Sequence, residues 1–298
     1  MERVELLVEL EHKLRAEVEE SAASEVYTVR ELVDLIRANI GKTGAQSAGW
    51  ETILAGEVTD PMVLSLRKTR RIIPALWFLC GKATTLFTQD AFHLRIKGLE
   101  NFDKIPEGQP FIICPNHQSF LDAPIVTAAM PWRVFKDLFY VGTSEIFGGG
   151  VWKLFARFLR LIPVDPDANL VPAMRAGAFG LRSGRILMLY PEGERSIDGK
   201  PRAFKKGAAI LSRHLNVPIV PMALEGFFEA WPRGQGFKGF SHLRMAIGDP
   251  IFPNPAEPPE IAYDRITAEL RNRVLSMWNE MHKAHEAEEE NAVPVEQI

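Results

Sequence analysis

Apolar positions recur along this chain with two periods, and the points where one gives way to the other mark its elements. Over residues 2–20, Val4, Leu7, Val8, Leu14 and Val18 fall on one helical face with glutamates opposite, which predicts an amphipathic acidic helix. A second helix is expected after Thr28: Thr28 and Glu31 make a capping-box pattern, Val29, Leu32, Val33, Ile36 and Ile40 follow at helical spacing, and Gly41 is the stop. Residues 41–60 lose this periodicity and, rich in Gly, Ser, Thr and Ala, read as linker. Short apolar runs bounded by turn residues then predict strands at 111–114, 138–141, 161–164, 186–190, 217–224 and 242–247. Helical patterns stand between or after them, from about residue 119 and over 168–182, 205–215 and 261–285. This alternation specifies an α/β fold, a mixed, partly parallel sheet flanked by helices, with a small N-terminal helical segment. The domain reading is a helical segment 1–40, a linker 41–66, a main body 67–285 and an acidic, disordered tail 286–298.

Two stretches depart from a simple core pattern. Arg67, Lys68, Arg70 and Arg71 precede the apolar run "IIPALWFLC" at 72–80. Such a run is too short to cross a bilayer, which takes about twenty residues. Its cationic flank and tryptophan fit either an interfacial anchor or a core helix after a solvated turn. Residues 151–162 are apolar except for Lys153, Arg157 and Arg160 on one stripe, the pattern of a helix buried with one wet edge or lying on lipid with snorkelling cations.

Composition narrows the classes. The 298 residues are 46% hydrophobic and 24% charged, enough for a sizeable core. A formal net charge of -3 argues against a dedicated nucleic-acid binder. The two cysteines, Cys80 and Cys114, lack metal-ligand spacing and suit a reducing compartment. The acidic start of the chain does not resemble a secretory signal, and no metal or cofactor motif is found. The GxGxxG at 234–239 has neither a following helix nor an acidic residue about twenty positions on, and reads as a loop.

The candidate chemistry begins at "CPNHQSFLDAP", residues 114–124, where a predicted strand passes into a predicted helix. His117 stands on the connecting loop, suited to act as general base, with Asp122 five residues on to fix its tautomer and stabilise the imidazolium. Ser119 and Asp122 equally fit a capping box, so the pair alone leaves both roles open. A second loop, "YPEGERSIDGKPRAFKKG" at 190–207, leaves the end of an apolar strand, where ligands bind in open α/β sheets. Its Gly193, Arg195, Lys205 and Lys206 offer backbone donors and cations to an anionic group.

Taken together, "NHQSFLD", "LIPVD", "YPEGERS" and "VPIVPMAL" resemble, in order and approximate spacing, the four motifs of the glycerolipid acyltransferases, which include the bacterial lysophosphatidate acyltransferases. The resemblance implies direct transfer of a fatty acyl group from acyl-CoA or an acyl carrier protein to the hydroxyl of a lysophospholipid or glycerol-phosphate acceptor, without a resident cofactor or metal. Carried over by position, it implies His117 as base, Asp122 as its partner, Glu192, Gly193 and Arg195 on the acceptor side, and Pro221 on the acyl-donor side. Separately, the cationic flank at 67–71 and the apolar stripe at 151–162 predict a peripheral or monotopic protein on the cytoplasmic side of a membrane. Thioester hydrolysis and a non-catalytic lipid- or carrier-binding role are the alternatives. Two positions depart from the family pattern: Pro166 stands where an Arg often follows "PVD", and Glu194 replaces the usual Thr of the third motif. Residues 1–40 are similar to the second half of an acyl carrier protein, and with the acyltransferase motifs they resemble domains fused to acyl-CoA or acyl carrier protein synthetases.

Overall fold

The computed structural model describes residues 49–67, 72–142, 160–164 and 170–292, together with Thr28, Arg30, Glu31, Val33, Asp34 and Arg37. The capping box expected at Thr28 is formed: its N–H donates to Glu31 Oε2 (2.9 Å) and its Oγ1 accepts from the Glu31 N–H (3.2 Å). The first predicted helix, the remainder of the second, residues 151–159 of the greasy stretch, Lys68, Arg70, Arg71 and Pro166 lie outside the described residues.

In chain order the elements are α1 (Trp50–Ala55), α2 (Pro61–Leu64), α3 (Ile72–Ala91), β1 (Arg95–Lys97), β2 (Ile112–Pro115), α4 (Asp122–Ala129), α5 (Trp132–Phe135), β3 (Leu138–Gly142), β4 (Leu161–Pro163), α6 (Leu170–Arg182), β5 (Ile186–Met188), α7 (Gly207–Leu215), β6 (Ile219–Glu225), α8 (Phe227–Ala230), β7 (Arg244–Ile247) and α9 (Pro259–Ala292). The seven strands make one sheet in the order β1-β7-β6-β2-β5-β3-β4, parallel except for the β6–β7 pair. Period-2 alternation divides the strand side chains between two cores. Ile112, Cys114, Ile219 and Ala223 pack with α6, α7 and α9 on one face, and Ile113, Val220, Met222 and Leu224 pack with α4 and α5 on the other. Covered on both faces, β6 is buried at all seven positions, as an interior strand of an α/β sheet must be.

Three expectations are corrected. Residues 50–66 are not linker: they form α1, α2 and a 3-10 turn whose Leu54, Val63 and Leu66 enter the core. Arg175 and Arg185 fix this stretch by donating to the carbonyls of Ile53 and Leu66 (2.9 Å each). Residues 286–292 are not a free tail, because α9 continues to Ala292 and Glu288 takes ion pairs from Arg95 (2.6 Å) and Arg244 (2.8 Å). The anion site expected at Lys206 is not formed by that side chain, which pairs with Asp264 of α9 (2.8 Å). Of the cationic stripe in 151–162, Arg160 is described, and it is part-buried against the carbonyls of Lys136 and Leu138.

The apolar run at 72–80 extends into the 20-residue α3, whose amphipathicity is inverted. Gly81, Thr85 and Thr88 are buried, with Thr85 Oγ1 donating to the Gly81 and Ala128 carbonyls, while Leu76, Leu79, Leu86 and Phe87 are exposed. Among the described residues, no helix is long and apolar enough to cross a membrane.

Gly226 turns the chain out of β6 at φ +87°, where a Cβ would run into the His242 carbonyl oxygen. Gly226→Ala is therefore expected to lower stability by at least about 1–2 kcal/mol, the cost of the left-handed conformation alone, read as a lower midpoint in urea unfolding.

Candidate functional site

The carboxyl ends of the three central strands, β6, β2 and β5, converge where strand order reverses around β2, the position at which open α/β sheets bind ligands. Pro115 ends β2, and Asn116 continues its pairing through a side chain. Its Oδ1 accepts from the Leu224 N–H (2.7 Å) and its Nδ2 donates to the Leu224 carbonyl (3.0 Å). The chain then turns sharply through His117.

Asp122, the first residue of α4, is fully buried, and its Oδ2 accepts three bonds. These come from His117 Nδ1 (2.7 Å), the Gln118 N–H (2.7 Å) and the Ser119 N–H (3.0 Å). The capping and catalytic readings of the sequence are thus one structure: the carboxylate that closes the turn also orients the imidazole. One detail differs, since Ser119 Oγ accepts from the Leu121 N–H (3.2 Å) and the helix starts at Asp122, three residues later than expected. A carboxylate at a helix N-terminus is favoured by the helix dipole. With Nδ1–H donated to Asp122, Nε2 is the ring atom able to take a proton, and the His117 side chain is 21% exposed.

The backbone of His117 is held from the second loop. Its N–H donates to Glu192 Oε1 (3.0 Å) and its carbonyl accepts from the Ser196 N–H (2.7 Å). Gln118, also buried, ties in two further segments by donating to the Gly199 carbonyl (2.5 Å) and accepting from the Phe227 N–H (3.2 Å). The Tyr190 ring stacks on the imidazole, with centroids 3.9 Å apart and planes 21° from parallel, which fixes the ring's tilt. Nearby in the chain, Arg195 lies 3.5 Å over the ring of Phe120. Asp122 Oδ1, Tyr190 Oη, Glu192 Oε2 and Arg195 Nη1 are all buried around His117 and make no hydrogen bond to a described residue.

The structure thus brings His117, Asp122, Glu192 and Arg195 together. Gly193 shapes the loop at φ +80°, donating its N–H to the Tyr190 carbonyl (3.1 Å). Pro221 is placed differently, inside β6, paired with Cys114 and packed beside Gly248 under α9. Asn116, Gln118 and Tyr190 were not singled out by sequence reasoning. All three stand within quoted motifs, Asn116 and Gln118 beside His117 and Tyr190 at the head of "YPEGERS", which was the available signal; the stacking contact itself, between residues far apart in sequence, leaves none.

Burial raises Glu192 to about 7, against smaller downward pulls from the backbone N–H groups of His117 and Arg202. A carboxyl whose pKa is raised on folding binds more protons in the native state, so stability falls as pH rises from about 4.5 towards about 7. Glu192→Gln keeps an acceptor for the His117 N–H and cannot ionise. This component of the pH dependence should vanish in that variant, as read from urea midpoints measured at about pH 4.5 and about pH 7.5.

Residues 93–225 match the Acyltransferase family. The chain is 31% identical over 223 residues to a 1-acyl-sn-glycerol-3-phosphate acyltransferase of Chlamydomonas reinhardtii, covering 74% of this chain and 62% of that one. It is 28% identical over 217 residues to a chloroplastic 1-acyl-sn-glycerol-3-phosphate acyltransferase of Brassica napus, covering 72% and 57% of the two. It spans about half to three-fifths of the length of the first curated relatives it matches, 51–62%. The crystal structure of the 1-acyl-sn-glycerophosphate acyltransferase PlsC of Thermotoga maritima superposes with a TM-score of 0.56 at 23% identity, covering 74% of this chain and 87% of that one. The mixed α/β sheet with flanking helices is therefore the fold of that enzyme.

Proposed function

We propose, from the premise that this chain is related to the glycerolipid acyltransferases and carries an Acyltransferase-family segment at 93–225, that it transfers a fatty acyl group from an acyl thioester to the hydroxyl of a lysophospholipid or glycerol-phosphate acceptor. The observation that carries this reading is the 2.7 Å bond from His117 Nδ1 to a buried Asp122 carboxylate, with Nε2 left to accept a proton. In the reaction so drawn, Nε2 takes the proton of the acceptor hydroxyl as its oxygen attacks the thioester carbonyl. Asp122 stabilises the imidazolium. The tetrahedral intermediate collapses by breaking the carbon–sulfur bond, and the departing thiolate recovers the proton from Nε2. No acyl-enzyme forms, and no resident cofactor is needed beyond the thioester co-substrate, acyl-CoA or an acylated carrier protein. Glu192, Gly193 and Arg195 serve the acceptor side. Pro221 belongs to the donor-side motif by resemblance alone.

The same proposal places the protein on a membrane surface, peripheral or monotopic, on the cytoplasmic side. The support is α3, which turns Leu76, Leu79, Leu86 and Phe87 outward. A place within a larger synthetase fusion rests on the carrier-protein resemblance of residues 1–40. Incubating the purified protein with acyl-CoA or acyl carrier protein thioesters and a panel of lysophospholipids tests the reaction. Acylated lipid whose formation depends on His117 is expected; fatty acid release indifferent to every acceptor would replace this reading with hydrolysis.

A further inference from the structure

A carboxylate in a loop that receives a phosphate is unfavourable by itself, yet the structure surrounds Glu194 with arginines. Glu194 Oε1 accepts from Arg202 Nη1 and Oε2 accepts from Arg233 Nη1 (2.5 Å). Arg202 comes from the far end of the same loop, and Arg233 from the segment beyond α8. Arg233 Nη1 also reaches the backbone carbonyl of Arg195 (3.3 Å), so the guanidiniums of residues 195, 202 and 233 border one small region. That region adjoins the reacting centre: Arg195 lies over Phe120, three residues after His117, and the next N–H, that of Ser196, donates to the His117 carbonyl.

The cluster is rich in positive charge. Three guanidiniums meet around the Glu194 carboxylate, and the other carboxylates felt there, Asp122 at Arg195 and Glu192 at Arg202, are both committed to the His117 loop. The cations disfavour one another, and burial followed by the charge of Arg233 holds the Arg195 pKa below its usual value. Arg202 and Arg233 each apply a single terminal nitrogen to Glu194, leaving the rest of the donor fork without a bond to a described residue. Arg195 Nη1 is buried and makes no hydrogen bond to a described residue. Glu194 and both partner arginines are 38–44% exposed, so the region opens to solvent and a head group can reach it. Guanidinium donors that Glu194 leaves unused, beside a buried Arg195 Nη1 with no bond to a described residue, suit a phosphomonoester.

We propose that Arg202 and Arg233, gathered by Glu194 beside Arg195, complete a site for the phosphate of the acceptor. This rests on the acyltransferase reading in taking the anion to be the acceptor's. Glu194 is a positioning residue in it: the carboxylate that would repel a phosphate holds two of the cations that bind one.

The test turns on a sign. Binding of glycerol 3-phosphate is measured by calorimetry, and acceptor KM by acyl transfer to lysophosphatidate. Arg202→Ala and Arg233→Ala should each weaken binding and raise acceptor KM by about tenfold or more, with the KM for acyl-CoA unmoved. Glu194→Gln should also weaken phosphate binding several-fold, although it removes a negative charge. Tighter binding by that variant, or wild-type binding by both arginine variants, overturns the proposal. A protein that acylates monoacylglycerol as well as lysophosphatidate and binds no glycerol 3-phosphate overturns it too, while leaving acyl transfer intact. If no acceptor is acylated but phosphate binding follows the three variants as stated, the site stands and the acyltransferase reading fails.

Discussion

His117→Ala is expected to lower the proposed acyl transfer by about 10²–10⁴-fold, the usual worth of a positioned general base. The geometry makes this a chemical loss rather than a structural one. The imidazole projects from the loop, partly exposed, and the bonds that hold the loop run through other atoms: Asp122 Oδ2 to the Gln118 and Ser119 N–H groups, Glu192 to the residue-117 N–H, and Ser196 to its carbonyl. All of these survive truncation at Cβ. The variant should therefore unfold at a urea concentration close to wild type while kcat/KM for the acyl thioester collapses. Wild-type turnover in that variant would leave the histidine a structural role only.

Glu225→Ala is expected to cost about 3–5 kcal/mol of folding stability, the range for leaving a buried ionic partner uncompensated. Glu225 ends β6 directly opposite Arg244 of β7, and their side chains are 2% and 6% exposed. Its Oε2 accepts from Arg244 Nη1 (3.0 Å) and its Oε1 faces His285 Nδ1 (2.7 Å) on α9. Removing the carboxylate strands the guanidinium between the sheet and the helix with, among the described residues, Glu288 alone paired to it (2.8 Å). The combined replacement Glu225→Leu with Arg244→Met removes both charges and should recover much of the loss, because well-packed apolar pairs commonly match buried ion pairs. Equilibrium urea unfolding of the single and double variants decides it. Additive losses would show that the two residues do not act as a pair.

The sheet was largely legible because its strands are covered on both faces and so write short, continuous apolar runs into the sequence, as at Ile219 to Leu224. β1 escaped because three residues, Arg95 to Lys97, with only Ile96 turned partly inward, give no period to detect. The helices over 50–66 escaped because their core contribution is three residues, Leu54, Val63 and Leu66, scattered among small and polar ones. At the site, His117 and Asp122 were readable as a local pair five residues apart. What holds them was not, since Tyr190, Glu192 and Ser196 arrive from more than seventy residues away, and only the tertiary fold sets them against the loop. The ion pair of Glu194 with Arg233 was not legible for the same reason, since the two stand 39 residues apart.

The edge strand β1 has a consequence for how the chain is made. Arg95 to Lys97 pair with Arg244 to Ala246, so this edge waits for almost the whole sequence to leave the ribosome. Until then the strand has no ladder, and β6, which pairs with β7 on that side, presents an open row of donors and acceptors. Synthesis at about 5–20 residues per second leaves β6 uncovered for seconds while β7 is completed. During that interval the nascent chain is open to pairing with a neighbour, and α9, which packs on β6, follows only after β7 is made.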